Sequence, residues 1–249
     1  MRLTVVGCSG SYPGPESPAS CYLLEAEGFR LVLDLGSGSL GALQRHAGLR
    51  EVDAVCLSHL HADHCLDLCG YHVVRMCAPG GPLPRLPVYA PAGAAARLDA
   101  AYGMPEEPSV DRSFEFHALK PGSWAIGPFE VTAALVNHPV ETYGFRVSHG
   151  GRAVAYSADT GPAGVVAELA RAADLFLCEA SFLDRPGNRA DLHLNGREAA
   201  GYAAAAGAGR LVLTHLVPWY DPADVLADAA RGDFAGPIEL ARAGATYQL

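Results

Sequence analysis

The segment Ser58-His59-Leu60-His61-Ala62-Asp63-His64 places three imidazoles and a carboxylate within six positions, directly after the apolar run Val52-Asp53-Ala54-Val55-Cys56-Leu57. Imidazole nitrogen and carboxylate oxygen are donors that divalent metals favour. Residues two apart in an extended segment point the same way, so His59 and His61 converge on one ion. If the chain turns into a helix after the strand, Asp63 and His64 fall in its first turn, offset enough to serve a second ion a few ångströms away. A single-metal site and an exposed polar loop are the alternatives that spacing alone leaves open.

Further donors are expected at strand ends, where a rigid sheet fixes reactive loops. Val131 to Asn137 runs into His138, Ala153 to Ala158 runs into Asp159, and Leu211 to Thr214 delivers His215. His193 lies in the polar stretch before the Ala-rich segment Glu198 to Ala206. One strand-terminal histidine means little; the repetition downstream of the cluster favours metal binding.

With these residues the chain resembles the metallo-β-lactamase fold superfamily, whose His-x-His-x-Asp-His signature is met by His59, His61, Asp63 and His64. The likeness includes the opening Leu3 to Ser11, the Leu33-Asp34-Leu35-Gly36 turn, and the order of His138, Asp159 and His215. Within the superfamily it is most similar to the ribonuclease Z group and related small phosphodiesterases. The cue is Cys178-Glu179-Ala180, then His193, then Arg210 to Leu216.

The resemblance implies that His59, His61 and His138 hold one metal, that Asp63, His64 and His215 hold the other, and that Asp159 bridges them. Two divalent ions are expected, zinc first because imidazole suits it, with manganese or iron as alternatives. No cysteine falls at a matched ligand position, so a thiolate-containing site is not indicated.

Two divalent ions bring four positive charges; Asp63, Asp159 and a bridging hydroxide remove three, leaving roughly one. An anionic phosphodiester is drawn to such a centre despite the formal charge of −9. Long nucleic acid is disfavoured, because 18 basic against 27 acidic residues cannot neutralise many phosphates. Ribonucleases Z that process transfer RNA commonly carry a long gripping arm between the positions matching His138 and Asp159. Here that interval is only Pro139 to Ala158, and two strand-like runs with a turn at Ser148-His149-Gly150-Gly151 use it up.

The function expected is dinuclear metal-dependent hydrolysis of a small anionic phosphodiester, a cyclic nucleotide or similar, by attack of a metal-bound hydroxide. Asp63 would orient that hydroxide or take its proton, and His193 would protonate the departing alkoxide. Asp34 would hold a metal-bound histidine while shaping its turn. After His193 comes Leu194-Asn195, where the group usually has a hydroxyl residue, so the partner of His193 is open. The alternatives are a lactonase or thioesterase of the same superfamily, or a shortened ribonuclease whose homodimer partner supplies the missing grip. A metal-stabilised binding module is the non-enzymatic alternative.

The elements that must position these groups read as strands near Leu3–Val6, Cys21–Glu25, Arg30–Asp34, Ala54–Ser58 and Pro87–Ala90, with helices at Ser39–His46, His64–Cys77 and Ala92–Ala101. The second half offers strands at Phe114–Leu119, Phe129–Val136, Tyr143–Val147, Ala153–Ser157, Leu175–Cys178 and Leu211–Thr214. Its helices are Gly164–Ala173, Gly196–Ala206 and Pro222–Arg231, followed by one strand within Ile238–Gln248. This α/β pattern suits a four-layer αβ/βα sandwich in one domain, 1–249, with the metal centre at one edge. Pro13-Gly14-Pro15 and Trp219-Tyr220 are candidate cleft rims.

No apolar stretch is long enough to span a membrane, and no leader-like segment opens the chain, so a cytoplasmic protein without membrane partners is expected. Seven cysteines, an odd number without a close Cys-x-x-Cys pair, point to reduced thiols.

Overall fold

The computed structural model describes residues 1–103 and 109–249. In chain order its elements are β1 (Arg2–Gly7), β2 (Cys21–Ala26), β3 (Phe29–Leu33), α1 (Ser39–Leu43), β4 (Ala54–Cys56), α2 (Ala62–Cys65), α3 (Leu68–Cys77), β5 (Leu86–Ala90), α4 (Ala94–Tyr102), β6 (Phe114–Ala118) and β7 (Gly122–Ile126). They continue with β8 (Phe129–Leu135), β9 (Tyr143–His149), β10 (Arg152–Tyr156), α5 (Gly164–Ala170), β11 (Leu175–Glu179), α6 (Gly196–Ala206), β12 (Leu211–Thr214), α7 (Pro222–Ala229), β13 (Ile238–Leu240) and β14 (Thr246–Gln248).

The strands form two seven-stranded sheets, ordered β14-β1-β2-β3-β4-β5-β6 and β13-β12-β11-β10-β9-β8-β7. Each sheet passes from an antiparallel meander to a parallel half, through β3 to β6 in the first and β10 to β13 in the second. Alternation along the strands builds the layers, since successive side chains point to opposite faces. Leu31 and Leu33 of β3 and Leu175 and Leu177 of β11 face a core shared by both sheets, together with Tyr22, Phe129, Phe145 and Val154. Val32 and Leu23 face outward onto Leu43, Leu68, Tyr71 and Leu98 of α1, α3 and α4. Phe176 and Leu211 do the same against Val166, Ala199, Ala203 and Val225 of α5, α6 and α7. Helix, sheet, sheet, helix is the αβ/βα sandwich expected from the pattern.

Four details differ from the sequence pattern. The run His64–Cys77 is not one helix: α2 ends at Cys65, and Asp67 turns its carboxylate to accept from the Leu40 amide at 2.7 Å, so the chain bends before α3. The strand near Phe114 belongs to the first sheet, where β6 lies parallel to β5. β7, a short edge strand opening on Gly122, carries little apolar signal. The C-terminal segment makes two strands rather than one, because β14 crosses to pair antiparallel with β1 while β13 stays beside β12.

Between His138 and Asp159, β9 and β10 fill the interval, joined by Gly150 and Gly151. All seven cysteines are free thiols. No helix among the described residues is long and apolar enough to cross a membrane.

Candidate metal centre

The donors converge beyond the carboxyl ends of the parallel strands, the position where open α/β sheets gather ligands. Asp34 follows β3, His59 to His64 follow β4, Asp159 follows β10, Glu179 ends β11 and His215 follows β12, while His138 leaves the antiparallel β8. Asp34, Ala158 and His215 have left-handed backbones with φ of 58°, 53° and 53°. Non-glycine residues adopt that conformation at a cost of roughly 1–3 kcal/mol each, tolerated where the surroundings over-determine it. Gly36 lets the Asp34 turn dock on α2, because a Cβ there would lie 1.8 Å from the Asp63 carbonyl oxygen.

Two groups of four donors result: His59, His61, His138 and Asp159; and Asp63, His64, His215 and Asp159. In the first, His59 Nε2 lies 2.9 Å from His61 Nδ1, and His138 Nε2 lies 3.4 Å from that same nitrogen. In the second, His64 Nε2 and His215 Nε2 are 3.2 Å apart, and Asp63 Oδ2 is 3.1 Å from His215 and 3.5 Å from His64. Asp159 lies between them, with Oδ2 3.7 Å from His59 Nε2 and 3.4 Å from His215 Nε2, and Oδ1 3.2 Å from His64 Nε2. Donors about 2.0–2.1 Å from one zinc ion stand about 3.3 Å apart at the corners of a tetrahedron, so both groups have the dimensions of such a site. Asp159 Oδ1 is buried without a hydrogen-bond partner, a costly condition that a cation relieves.

The backs of the rings are held so that their other nitrogens face inward, which is how metal-ligating histidines are oriented. His64 Nδ1 donates to Asp34 Oδ2 at 2.8 Å, and His59 Nδ1 donates to Ser58 Oγ at 3.0 Å. Ser58 in turn donates to Asp34, from Oγ at 2.9 Å and from its amide at 2.7 Å, and Tyr156 OH donates at 2.8 Å. In the second sheet His215 Nδ1 donates to Ser181 Oγ at 2.7 Å, and Ser181 donates to Glu179 at 2.7 Å. His138 Nδ1 donates to the Leu192 carbonyl at 3.0 Å.

The field of the carboxylates matches a cationic occupant. Burial would lower the pKa of His64, yet Asp159 and Asp34 outweigh it and hold the ring well above its ordinary value. Burial depresses His59, His61 and His138 below the usual imidazole value, which favours the neutral, metal-ligating form. Burial would raise Asp63 and Asp159, but the neighbouring histidines keep both below the usual carboxylate range.

His193 belongs to neither group of four. Its Nδ1 donates to the fully buried Glu179 at 3.1 Å, and its ring centroid lies 5.3 Å from that of His215 and 5.6 Å from that of His138. Burial works against its protonation, but Glu179 raises it to about 9. Asn195 caps α6 instead of supporting His193: its side chain accepts from the Glu198 amide at 2.9 Å and its own amide donates to Glu198 at 3.0 Å. Glu179, His193 and His215 also lie close enough to share an ion. Glu179, however, already accepts from the Thr160 amide, Ser181 and His193, which makes it a support for the rings.

Every sequence-expected site residue, His59, His61, Asp63, His64, His138, Asp159, His193 and His215, is brought to this centre. Ser58 and Ser181 hold it without a motif of their own. Glu179 lies in the Cys178-Glu179-Ala180 segment that carries the ribonuclease Z resemblance, but its role as a support shows only in the hydrogen bonds it accepts from Ser181 and His193.

A cavity of about 600 Å³ lies beside the centre, lined by Gly14, Pro15, Leu216, Pro218 and Tyr220 among others, and carries none of the metal-donor side chains.

This architecture is that of the metallo-β-lactamase fold. Residues 30–216 match the beta-lactamase superfamily domain, and the chain belongs to that superfamily. Over its whole length it is 44% identical to an uncharacterized protein of Mycobacterium tuberculosis, covering 92% of that relative. It is 31% identical to the probable metallo-hydrolase YhfI of Bacillus subtilis, with both chains covered in full. The crystal structure of YhfI, a metallo-beta-lactamase fold protein, superposes with a TM-score of 0.86 at 29% identity, covering 99% of each chain. Ribonuclease Z of Myxococcus xanthus is 29% identical, with 100% of this chain and 98% of that protein covered.

Proposed function

We propose that the chain is a dinuclear metal-dependent phosphodiesterase acting on a small anionic phosphodiester such as a cyclic nucleotide. His59, His61 and His138 would hold one divalent cation and Asp63, His64 and His215 the other, with Asp159 available to both. Zinc fits the imidazole-rich donors best. When bound, the pair supplies Lewis acidity and acidifies water near neutral pH.

Asp63, the most exposed donor of its group, would orient the attacking water or take its proton. His193 carries the choice of reaction: a histidine that neither donor group needs is aimed at the centre by Glu179, the placement of a general acid that protonates a departing alkoxide. The relationship to a ribonuclease by name, across the whole chain, favours a phosphodiester. The net charge of −9 and an interval from His138 to Asp159 filled by β9 and β10 favour a small ester over a long RNA.

The test is to assay metal-loaded protein against bis(p-nitrophenyl) phosphate, cyclic nucleotides, an acyl-homoserine lactone and a precursor transfer RNA. Turnover of the small phosphodiesters is expected; lactone turnover without them overturns the reading. His193→Ala should keep its metal and lose about 10²–10⁴-fold in kcat. Loss of metal with unchanged rate per bound ion would remove the general-acid role.

A further inference from the structure

Two large aromatic side chains stand open on segments that adjoin His215, Tyr12 next to Ser11 and Trp219 four residues after His215. Trp219 is 62% exposed and Tyr12 is 41% exposed, with ring centroids 5.6 Å apart and planes tilted by 40°. Tyr220 meets Trp219 edge-on at 6.1 Å and 82°, and the Arg185 guanidinium lies 6.0 Å over the Tyr220 ring. Tryptophan is usually well buried, and an exposed aromatic pair contributes little to the core.

Both rings ride on segments fastened to the His215 strand end. The Ser11 amide lies 3.4 Å from His215 Nε2, so the Tyr12 Cα stands within about 9 Å of that candidate ligand atom by chain geometry. Gly10 permits this approach, because a Cβ there would lie 2.5 Å from the His215 carbonyl oxygen. Cys8 and Gly10 exchange backbone hydrogen bonds with Leu216 at 2.9 and 3.0 Å, and Ser9 Oγ donates to the Tyr12 carbonyl at 2.6 Å. Trp219 follows His215 by four residues, across Pro218. The backbone segments that carry the pair are therefore held before any ligand arrives, which lowers the entropic cost of binding.

We infer that Tyr12 and Trp219 form a stacking platform for the base of a nucleoside phosphodiester, so that the site selects base-bearing esters over esters of simple alcohols. The inference rests on the phosphodiesterase reading and names its substrate class. Flat aromatic faces on segments adjoining a centre that bound cations would make electropositive suit a ligand with an aromatic ring at one end and a phosphate at the other. Any base has a π face, so stacking holds the ring without choosing among bases.

The test compares adenosine 3′,5′-cyclic phosphate with the same cyclic phosphate on ribose carrying a methoxy group in place of the base. Wild type should prefer the base-bearing ester. Trp219→Ala and Tyr12→Ala should each reduce that preference about tenfold, mainly through KM, within the roughly 5- to 150-fold range of one base stack. Trp219→Phe should retain most of it. An unchanged preference in both alanine variants overturns the platform.

A second readout needs no turnover. The chain has two tryptophans, so in a Trp124→Phe background all tryptophan emission comes from Trp219. Adenosine 5′-phosphate should quench it, ribose 5-phosphate should not, and Tyr12→Ala should weaken the quenching. If neither ester is cleaved, the phosphodiesterase reading fails, and the emission titration alone decides: quenching specific to the base supports the platform, and its absence overturns it.

Discussion

The two sheets support the centre with the same device used for different ends. In the first, the buried Asp34 holds His64 directly and His59 through Ser58. In the second, the buried Glu179 holds His193 directly and His215 through Ser181. Asp34 thus supports one donor in each group of four, whereas Glu179 supports one donor and one histidine outside both. Under the proposed function, this contrast makes metal retention depend mainly on Asp34 and proton delivery mainly on Glu179.

Asp34→Ala is the change expected to do most. It strands the Ser58 amide and hydroxyl, the Tyr156 hydroxyl and the His64 ring in a fully buried space. Removing one partner of a buried charged network costs about 3–5 kcal/mol, read as a lower thermal or urea midpoint. Metal affinity should fall as well, by about 10–100-fold or more, since both groups lose an orienting contact. Unchanged metal content in a folded Asp34→Ala protein would break the contrast.

Glu179→Gln should separate the two roles. It keeps shape and most hydrogen bonds but removes the charge that sustains a protonated His193. We expect near-normal metal content with kcat lower by about a hundredfold, checked by metal analysis and steady-state kinetics on one preparation. Metal loss as severe as in Asp34→Ala would merge the two supports into one role.

The serines sharpen the comparison at smaller scale. Ser58→Ala and Ser181→Ala each leave one ring nitrogen without its buried acceptor, a penalty of about 1–3 kcal/mol. Ser58→Ala should act on the more open group, which contains the half-buried His61 and His138, and Ser181→Ala on the closed group, whose members are all buried. Timed removal of zinc by a chelator distinguishes them: Ser58→Ala should quicken the fast phase and Ser181→Ala the slow one. The smallest effect is expected for Glu25→Gln, which weakens the surface pairs with Arg2 and Arg30. It should cost less than about 1 kcal/mol and leave metal and rate alone.

The donors were legible because six positions after β4 concentrate them, and because His138, Asp159 and His215 each follow a strand-like run. The layers were legible because strands and helices recur in both halves of the chain; which face each residue of the apolar runs Leu31-Val32-Leu33 and Leu175-Phe176-Leu177 serves shows only in the fold. Ser58 and Ser181 were not, since a serine that relays a hydrogen bond has the sequence signature of any loop serine. Glu179 is recognisable as support only once β11 sets it beside His193 and Ser181. The crossing of β14 to the first sheet is a pairing between chain ends, which local periodicity does not encode. The bend at Asp67 depends on a bond to Leu40, equally remote from its own stretch of sequence.

Anomalous X-ray scattering from crystals of the zinc-loaded protein tests the central claim most directly. Two peaks are predicted, one about 2.0–2.2 Å from donor atoms of His59, His61 and His138 and the other at that distance from Asp63, His64 and His215, with Asp159 touching both. A single peak, or peaks away from these side chains, would contradict the account.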